Sequence, residues 1–190
     1  MANKIIFIVG MPGSGKSIIA DELVKKGYAY VRFGQIVIDE IKKRGLEINE
    51  INEKNMREGL RKEHGMGAMA ILNIPKFDEN LEKSNVVGDG LYSWTEYKIL
   101  KEKYGDAMYV LAVYAPPELR YDRLENRSVE NDASSRFRSI PKEKSKSRDY
   151  SEIENIEKGG PIAMADFTIV NTRTVDDAKN QLQKFLNDID

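Results

Sequence analysis

The sequence predicts an α/β domain with a five-stranded parallel sheet flanked by helices. Two observations carry that prediction. Short apolar runs alternate with longer helical stretches along the chain, the pattern of βα repeats rather than of a helical bundle. The first run, Ile5 to Val9, leads straight into Gly10-Met11-Pro12-Gly13-Ser14-Gly15-Lys16-Ser17. That octapeptide matches G-x-x-x-x-G-K-[ST] and lies between a predicted strand and a predicted helix, the setting the motif requires.

Each element has its own signal. A helix from about residue 16 to 26 stops at Gly27, a good residue for a left-handed cap. A second strand covers 28–33, and a helix then runs from Gly34 to about Arg44, closed by Gly45. The next helix spans about 52–64, and a further one covers 68–83, where Pro75 removes a backbone donor and should kink or split it. Residues 85–89 read as a short buried strand, and Ser93-Trp94-Thr95-Glu96 has the spacing of a capping box. The longest apolar run, 107–115, reads as the central strand. Pro116-Pro117 ends it and opens a helix expected to carry Arg120, Arg123 and Arg127. From Ser128 to Ser147 serines and charges replace apolar periodicity, which predicts a surface flap. The fifth strand is 167–170, and Thr174 caps a C-terminal amphipathic helix.

Composition narrows the function classes. At 190 residues the chain suits one domain with an inserted flap or two. Lys and Arg number 30 against 31 Asp and Glu, a net charge of −1, so no bulk attraction to nucleic acid or an anionic membrane is expected. The absence of cysteine excludes thiol nucleophiles, disulfides and Cys-ligated metals. No apolar run approaches the roughly 18 residues of a membrane helix, and a cytoplasmic location is expected.

The chemistry centres on the glycine-rich loop. Glycines at 13 and 15 let the backbone turn without Cβ clashes, so that successive N–H groups point inward at the positive end of a helix. Residues Met11, Pro12, Gly13, Ser14, Gly15, Lys16 and Ser17 are therefore expected to hold the phosphates of ATP, with Lys16 bridging the β- and γ-phosphates. Ser17 would offer its hydroxyl to Mg²⁺, and Asp89, closing the apolar run Val86-Val87-Gly88, is the candidate for a second acidic contact. Between Arg120 and Asp149 nine basic residues face six acidic ones. Arg123 and Arg127, four apart, would share a helix face and reach a triphosphate, with Arg148 returning from the far side of the flap. The single His64 and Trp94 read as structural residues.

These pieces, together with Leu60-Arg61, Asp89-Gly90, Pro116-Pro117, Arg148-Asp149 and Ile162-Ala163-Met164-Ala165-Asp166 before Asn171, make the chain resemble the archaeal adenylate-kinase-related P-loop proteins. That group is similar to nucleoside monophosphate kinases and dephospho-CoA kinases. The resemblance covers nearly the whole chain. It implies one P-loop kinase-like domain over 1–190, a helical acceptor-binding insertion over 35–83 and a lid over 128–147 that closes on ATP. It also implies donor contacts from Arg123 and Arg127, with Asn171 near the adenine, and catalytic roles for Lys16, Asp89, Arg127 and Arg148. An acceptor would meet Arg57 and Arg61, with Gly34 and Gly90 in the turns beside it. The chain departs from the pattern at Gln35, Ile38 and Tyr92, where the nucleotide kinases carry an Asp and two acceptor-side Arg residues. The expected activity is ATP-dependent phosphotransfer to a nucleoside monophosphate or similar phosphorylated acceptor. The alternatives are a nucleotide-binding regulator with weak ATPase activity and a dephospho-CoA kinase-like enzyme.

Overall fold

Five strands lie side by side in the order β2-β3-β1-β4-β5, all parallel, in a computed structural model that describes residues 3–127 and 139–189. They are β1 (Ile5–Val9), β2 (Ala29–Arg32), β3 (Val86–Asp89), β4 (Met108–Tyr114) and β5 (Phe167–Val170). All five residues of β1 are buried, as a central parallel strand covered on both faces must be. The helices are α1 (Lys16–Lys25), α2 (Gln35–Lys43), α3 (Glu50–His64), α4 (Ala68–Leu81), α5 (Trp94–Tyr104), α6 (Pro117–Glu125), α7 (Lys142–Ile156), α8 (Gly159–Ala163) and α9 (Val175–Ile189). Among the described residues no helix is long and apolar enough to cross a membrane.

Two cores sandwich the sheet. One face packs Phe7, Phe33 and Phe77 against α2, α4 and α5, and the other packs Ile6, Ile8 and Ile169 against α1 and α9. In the first core Phe7 meets Phe77 edge-on at 5.2 Å and Phe33 at 5.8 Å, a favourable aromatic geometry. Gly88 makes room for that cluster, because a Cβ there would lie 2.4 Å from the Phe7 ring.

The capping box of α5 forms as its sequence spacing requires. Ser93 Oγ accepts from the Glu96 amide at 3.1 Å, and Glu96 Oε2 accepts from the Ser93 amide at 3.0 Å. Thr174 Oγ1 caps α9 by accepting from the Asp177 amide at 3.1 Å.

Four expectations are corrected. The central strand is β1, and β4, the longest apolar run, lies next to it. Pro75 does not break α4, which runs unbroken from Ala68 to Leu81. Pro75 and Ile71 both lie on the exposed face, where water can satisfy the Ile71 carbonyl that proline leaves without a donor. The helix after Pro116 stops at Glu125, with Asn126 as its C-cap, so Arg127 lies beyond it and shares no helix face with Arg123. The stretch read as a flap is partly helix, since residues 142–147 form the first turns of α7. The remainder of that stretch, 128–138, lies outside the described residues.

Candidate active site around the P-loop

The loop between β1 and α1 bends through positive φ at Gly10, Gly13 and Gly15. Gly15 is tightly constrained, for a Cβ would fall 2.2 Å from Asn171 Nδ2. It also stands as the N-cap of α1 without any side-chain cap. The first amide groups of that helix are thus left for an anion at the positive end of the dipole. Ser14 is 0% exposed and its hydroxyl finds no partner inside the loop. Lys16 folds over the loop and donates to the carbonyls of Gly10 at 2.9 Å and Met11 at 3.0 Å.

Lys16 is buried among two cations and two carboxylates. Burial, then the nearby ammonium of Lys158, lowers its pKa to about 7, with Arg148 adding to the effect and Asp89 and Glu152 opposing it. A phosphate would reverse that balance by supplying the missing negative charge. Asp89 reaches this neighbourhood because β3 pairs directly with β1, setting Ile8 opposite Asp89. Its carboxylate accepts from the Tyr30 hydroxyl at 2.7 Å. Ser17 is the second residue of α1. Among the described residues no cluster of three or more His, Cys, Asp or Glu side chains gathers. Mg²⁺ rests on few protein oxygens and keeps its waters, so a serine hydroxyl and one carboxylate are donor types that suit it.

The arginines divide into distinct roles. Arg148, on α7, donates from Nε to Glu152 at 2.7 Å. Arg123 donates from Nη2 to the Asn171 carbonyl at 3.0 Å, and its buried Nη1 has no partner. Asn171 in turn donates to the Ser14 carbonyl at 2.8 Å, so the turn after β5 is bolted to the floor of the P-loop. Arg127 is partly buried in the turn beyond α6.

Arg120, on the same helix as Arg123, does different work. It is 4% exposed and donates to the carbonyls of Ala115 and Pro12, each at 3.0 Å. It also grips Asp149 with two nitrogens, at 3.1 and 2.5 Å, and Tyr121 adds its hydroxyl to Asp149 at 3.0 Å. This buried pair ties α6 and α7 to the loop backbone at Pro12. The sequence signal existed in Arg148-Asp149, but it did not separate the buried, supporting Asp149 from the half-exposed Arg148. Glu152 and Lys158 had no signal at all.

On the acceptor side the predicted residues are less convergent. Arg57 is partly exposed and pairs with Glu53 at 3.5 Å within α3. Arg61 buries its Nε without a partner, near enough to Glu96 to oppose the rise that burial imposes on that carboxyl. Gly34 is the N-cap of α2. Gly90, at positive φ, sits against the Tyr92 ring, which a Cβ would approach to 2.9 Å. Gln35 donates to Asp39 at 2.9 Å, so at the place of a general base the chain has an amide anchoring a neighbour.

Known proteins can be set beside this geometry. A family model described as an AAA domain matches residues 6–157. The UPF0200 protein of Thermococcus onnurineus is 36% identical over 187 residues, covering 97% of both chains. The chain belongs to the UPF0200 family. The family member from Methanocaldococcus jannaschii is 33% identical and covers 97% of this chain and 90% of its own. Solved structures similar in fold include TT1252 from Thermus thermophilus, with a TM-score of 0.66 at 18% identity over the full length of both chains. A shikimate kinase from Acinetobacter baumannii in complex with shikimate has a TM-score of 0.60 at 21% identity, covering 98% of this chain and 94% of its own. A gluconokinase from Sinorhizobium meliloti has 0.56 at 12% identity, covering 99% and 95%. The fold of this UPF0200 chain is therefore that of the P-loop kinases.

Proposed function

We propose that this protein is a cytoplasmic, ATP- and Mg²⁺-dependent phosphotransferase, related to the adenylate kinases, whose acceptor is a nucleoside monophosphate or a similar phosphorylated small molecule. The observation that carries this reading is the uncapped N-terminus of α1 behind a loop bent through positive φ at Gly10, Gly13 and Gly15, with Lys16 folded over it, an arrangement that a polyphosphate would complete. Gly10 to Ser17 would bind the β- and γ-phosphates. Ser17 and Asp89 would hold Mg²⁺, which when bound neutralises charge on the phosphate oxygens. Arg123, Arg127 and Asn171 belong to the donor side, and Arg57, Arg61, Gly34 and Gly90 to the acceptor side, between the 35–83 insertion and the loop.

Chemistry in such a site is positioning and charge neutralisation. An acceptor phosphate is already ionised near pH 7, so its oxygen attacks the γ-phosphorus without a strong base, while the bond to the β-phosphate oxygen breaks and ADP leaves. Lys16 and Arg148 would stabilise the charge on the transferred group. Closure of the 128–147 lid would keep water out.

A second reading, a nucleotide-binding regulator with weak ATPase activity, draws on Ile38 and Tyr92 standing where acceptor-side arginines are expected. A dephospho-CoA kinase-like reading is weakened by Gln35, whose amide accepts no proton. Incubation with ATP, Mg²⁺ and a panel of AMP, CMP, dCMP, UMP, GMP and dephospho-CoA tests the three. A kinase forms product with one acceptor, whereas a regulator yields only binding or acceptor-independent ADP.

A further inference from the structure

Arg148, placed above at the transferred phosphate, and Lys158 share one carboxylate, Glu152, which has so far been given no role. Lys158, the N-cap residue of α8, is 1% exposed although it carries an ammonium group. It pairs with Glu152 on α7 and stands 4.6 Å from the centroid of the Tyr92 ring, a cation–π contact. The other oxygen of Glu152 accepts from Arg148 Nε at 2.7 Å. Burial alone would raise the Glu152 pKa, but Lys158 and Arg148 together hold it below its ordinary value. Glu152 thus stays ionised between two cations.

Burying a lysine and a glutamate is costly, and an apolar pair of similar volume would serve stability as well or better. The cluster does something an apolar pair cannot. Arg148 makes its one hydrogen bond among the described residues through Nε, which leaves both terminal nitrogens available for a bidentate phosphate contact. Arg148 is held near the loop by its neighbour Asp149, which grips Arg120 as Arg120 donates to the Pro12 carbonyl.

We propose that Lys158 is a positioning residue for phosphoryl transfer: held over the Tyr92 ring, it fixes Glu152, and Glu152 orients Arg148 so that its terminal nitrogens meet the γ-phosphate anchored at Lys16. This rests on the donor-site reading above. Lys158 itself touches no phosphate. It acts through Glu152, and its loss has the signature of losing Arg148 without the loss of the P-loop.

The test compares binding of Mg·ADP with that of the Mg complex of the β,γ-imido analogue of ATP, by calorimetry on the full chain. Lys158→Met is expected to bind Mg·ADP about as tightly as the wild type, since Lys158 touches no phosphate and the relief of Lys16 offsets the loss of one distant cation. Its affinity for the triphosphate analogue is expected to fall about 10- to 100-fold, the size of a lost charge-assisted contact. Arg148→Ala should show the same selective loss, and Lys158→Met with Arg148→Ala no more than Arg148→Ala alone. Lys158→Arg should restore most of the affinity. If Lys158→Met fails to fold, Lys158→Met with Glu152→Leu removes both buried charges together and should show the same selective loss. The proposal is overturned if the analogue binds either of these variants as tightly as the wild type, or if the losses at 158 and 148 add. It is overturned too if both nucleotides weaken equally, which marks a structural role alone. A wild-type protein that binds neither nucleotide overturns the donor-site reading as well, and so is told apart from the other results.

Discussion

Asp149→Asn removes one charge and almost no volume from the strut beneath the P-loop. The change leaves Arg120, whose side chain is 5% exposed, buried without its counter-ion. Breaking a buried pair in this way costs about 3–5 kcal/mol. Arg120 keeps its bonds to the carbonyls of Pro12 and Ala115, which argues for the lower end, about 3 kcal/mol. For a chain of 190 residues each kcal/mol moves the melting temperature by about 2–4 °C, so a fall of about 6–12 °C is expected. Differential scanning calorimetry measures it directly. Mg·ADP affinity should fall in the same variant below its melting range, because the guanidinium that holds the Pro12 carbonyl has lost its anchor. The double variant Arg120→Met with Asp149→Leu should recover stability but not nucleotide affinity, since no donor then reaches Pro12. A melting temperature for Asp149→Asn within about 2 °C of the wild type, with unchanged Mg·ADP affinity, would refute the assignment of this pair as the support of the loop.

Three further predictions follow from the same structure. With the Lys16 pKa lowered to about 7 in the free protein, most of the population is neutral at pH 8. Phosphate binds the charged form, so Mg·ATP binding at pH 8 should take up protons and weaken as pH rises above 7; calorimetry in buffers of different ionisation enthalpy reads this, and zero uptake contradicts it. Gly88→Ala pushes a methyl to 2.4 Å from the Phe7 ring and should cost about 1–3 kcal/mol in urea denaturation, while an unchanged midpoint would mean that the aromatic cluster yields. Asn171→Ala removes the 2.8 Å bond to the Ser14 carbonyl, and Mg·ADP affinity should drop about tenfold by fluorescence titration, a change below twofold counting against the bolt.

The parts of the fold legible in the sequence are those set by local rules. Val9 to Ser17 announces itself because glycines, a lysine and a serine must follow one another to cradle phosphate. The strands at 5–9 and 108–114 read clearly because both faces of a central parallel strand are apolar. Helix α7 did not read as a helix for the opposite reason. Its buried residues are Ser145 and Asp149, four apart on one face but polar, so no hydrophobic period marks the helix. Asp149 pairs with Arg120 across 29 residues of chain, a distance over which sequence spacing carries no geometry. Lys158 is the extreme case: nothing next to it in sequence distinguishes a buried lysine over Tyr92 from an exposed one. Asp89 was legible only conditionally, its place beside the P-loop depending on the pairing of β3 with β1.

The central claim is transfer of the γ-phosphate of ATP to a phosphorylated acceptor at Lys16. Its most direct test is the formation of ADP and phosphorylated product from ATP and Mg²⁺, measured across the acceptor panel for the wild type and for Lys16→Ala. The account predicts product with one acceptor in the wild type and none in the variant. ADP formation that no acceptor stimulates, or transfer that survives Lys16→Ala undiminished, would contradict it.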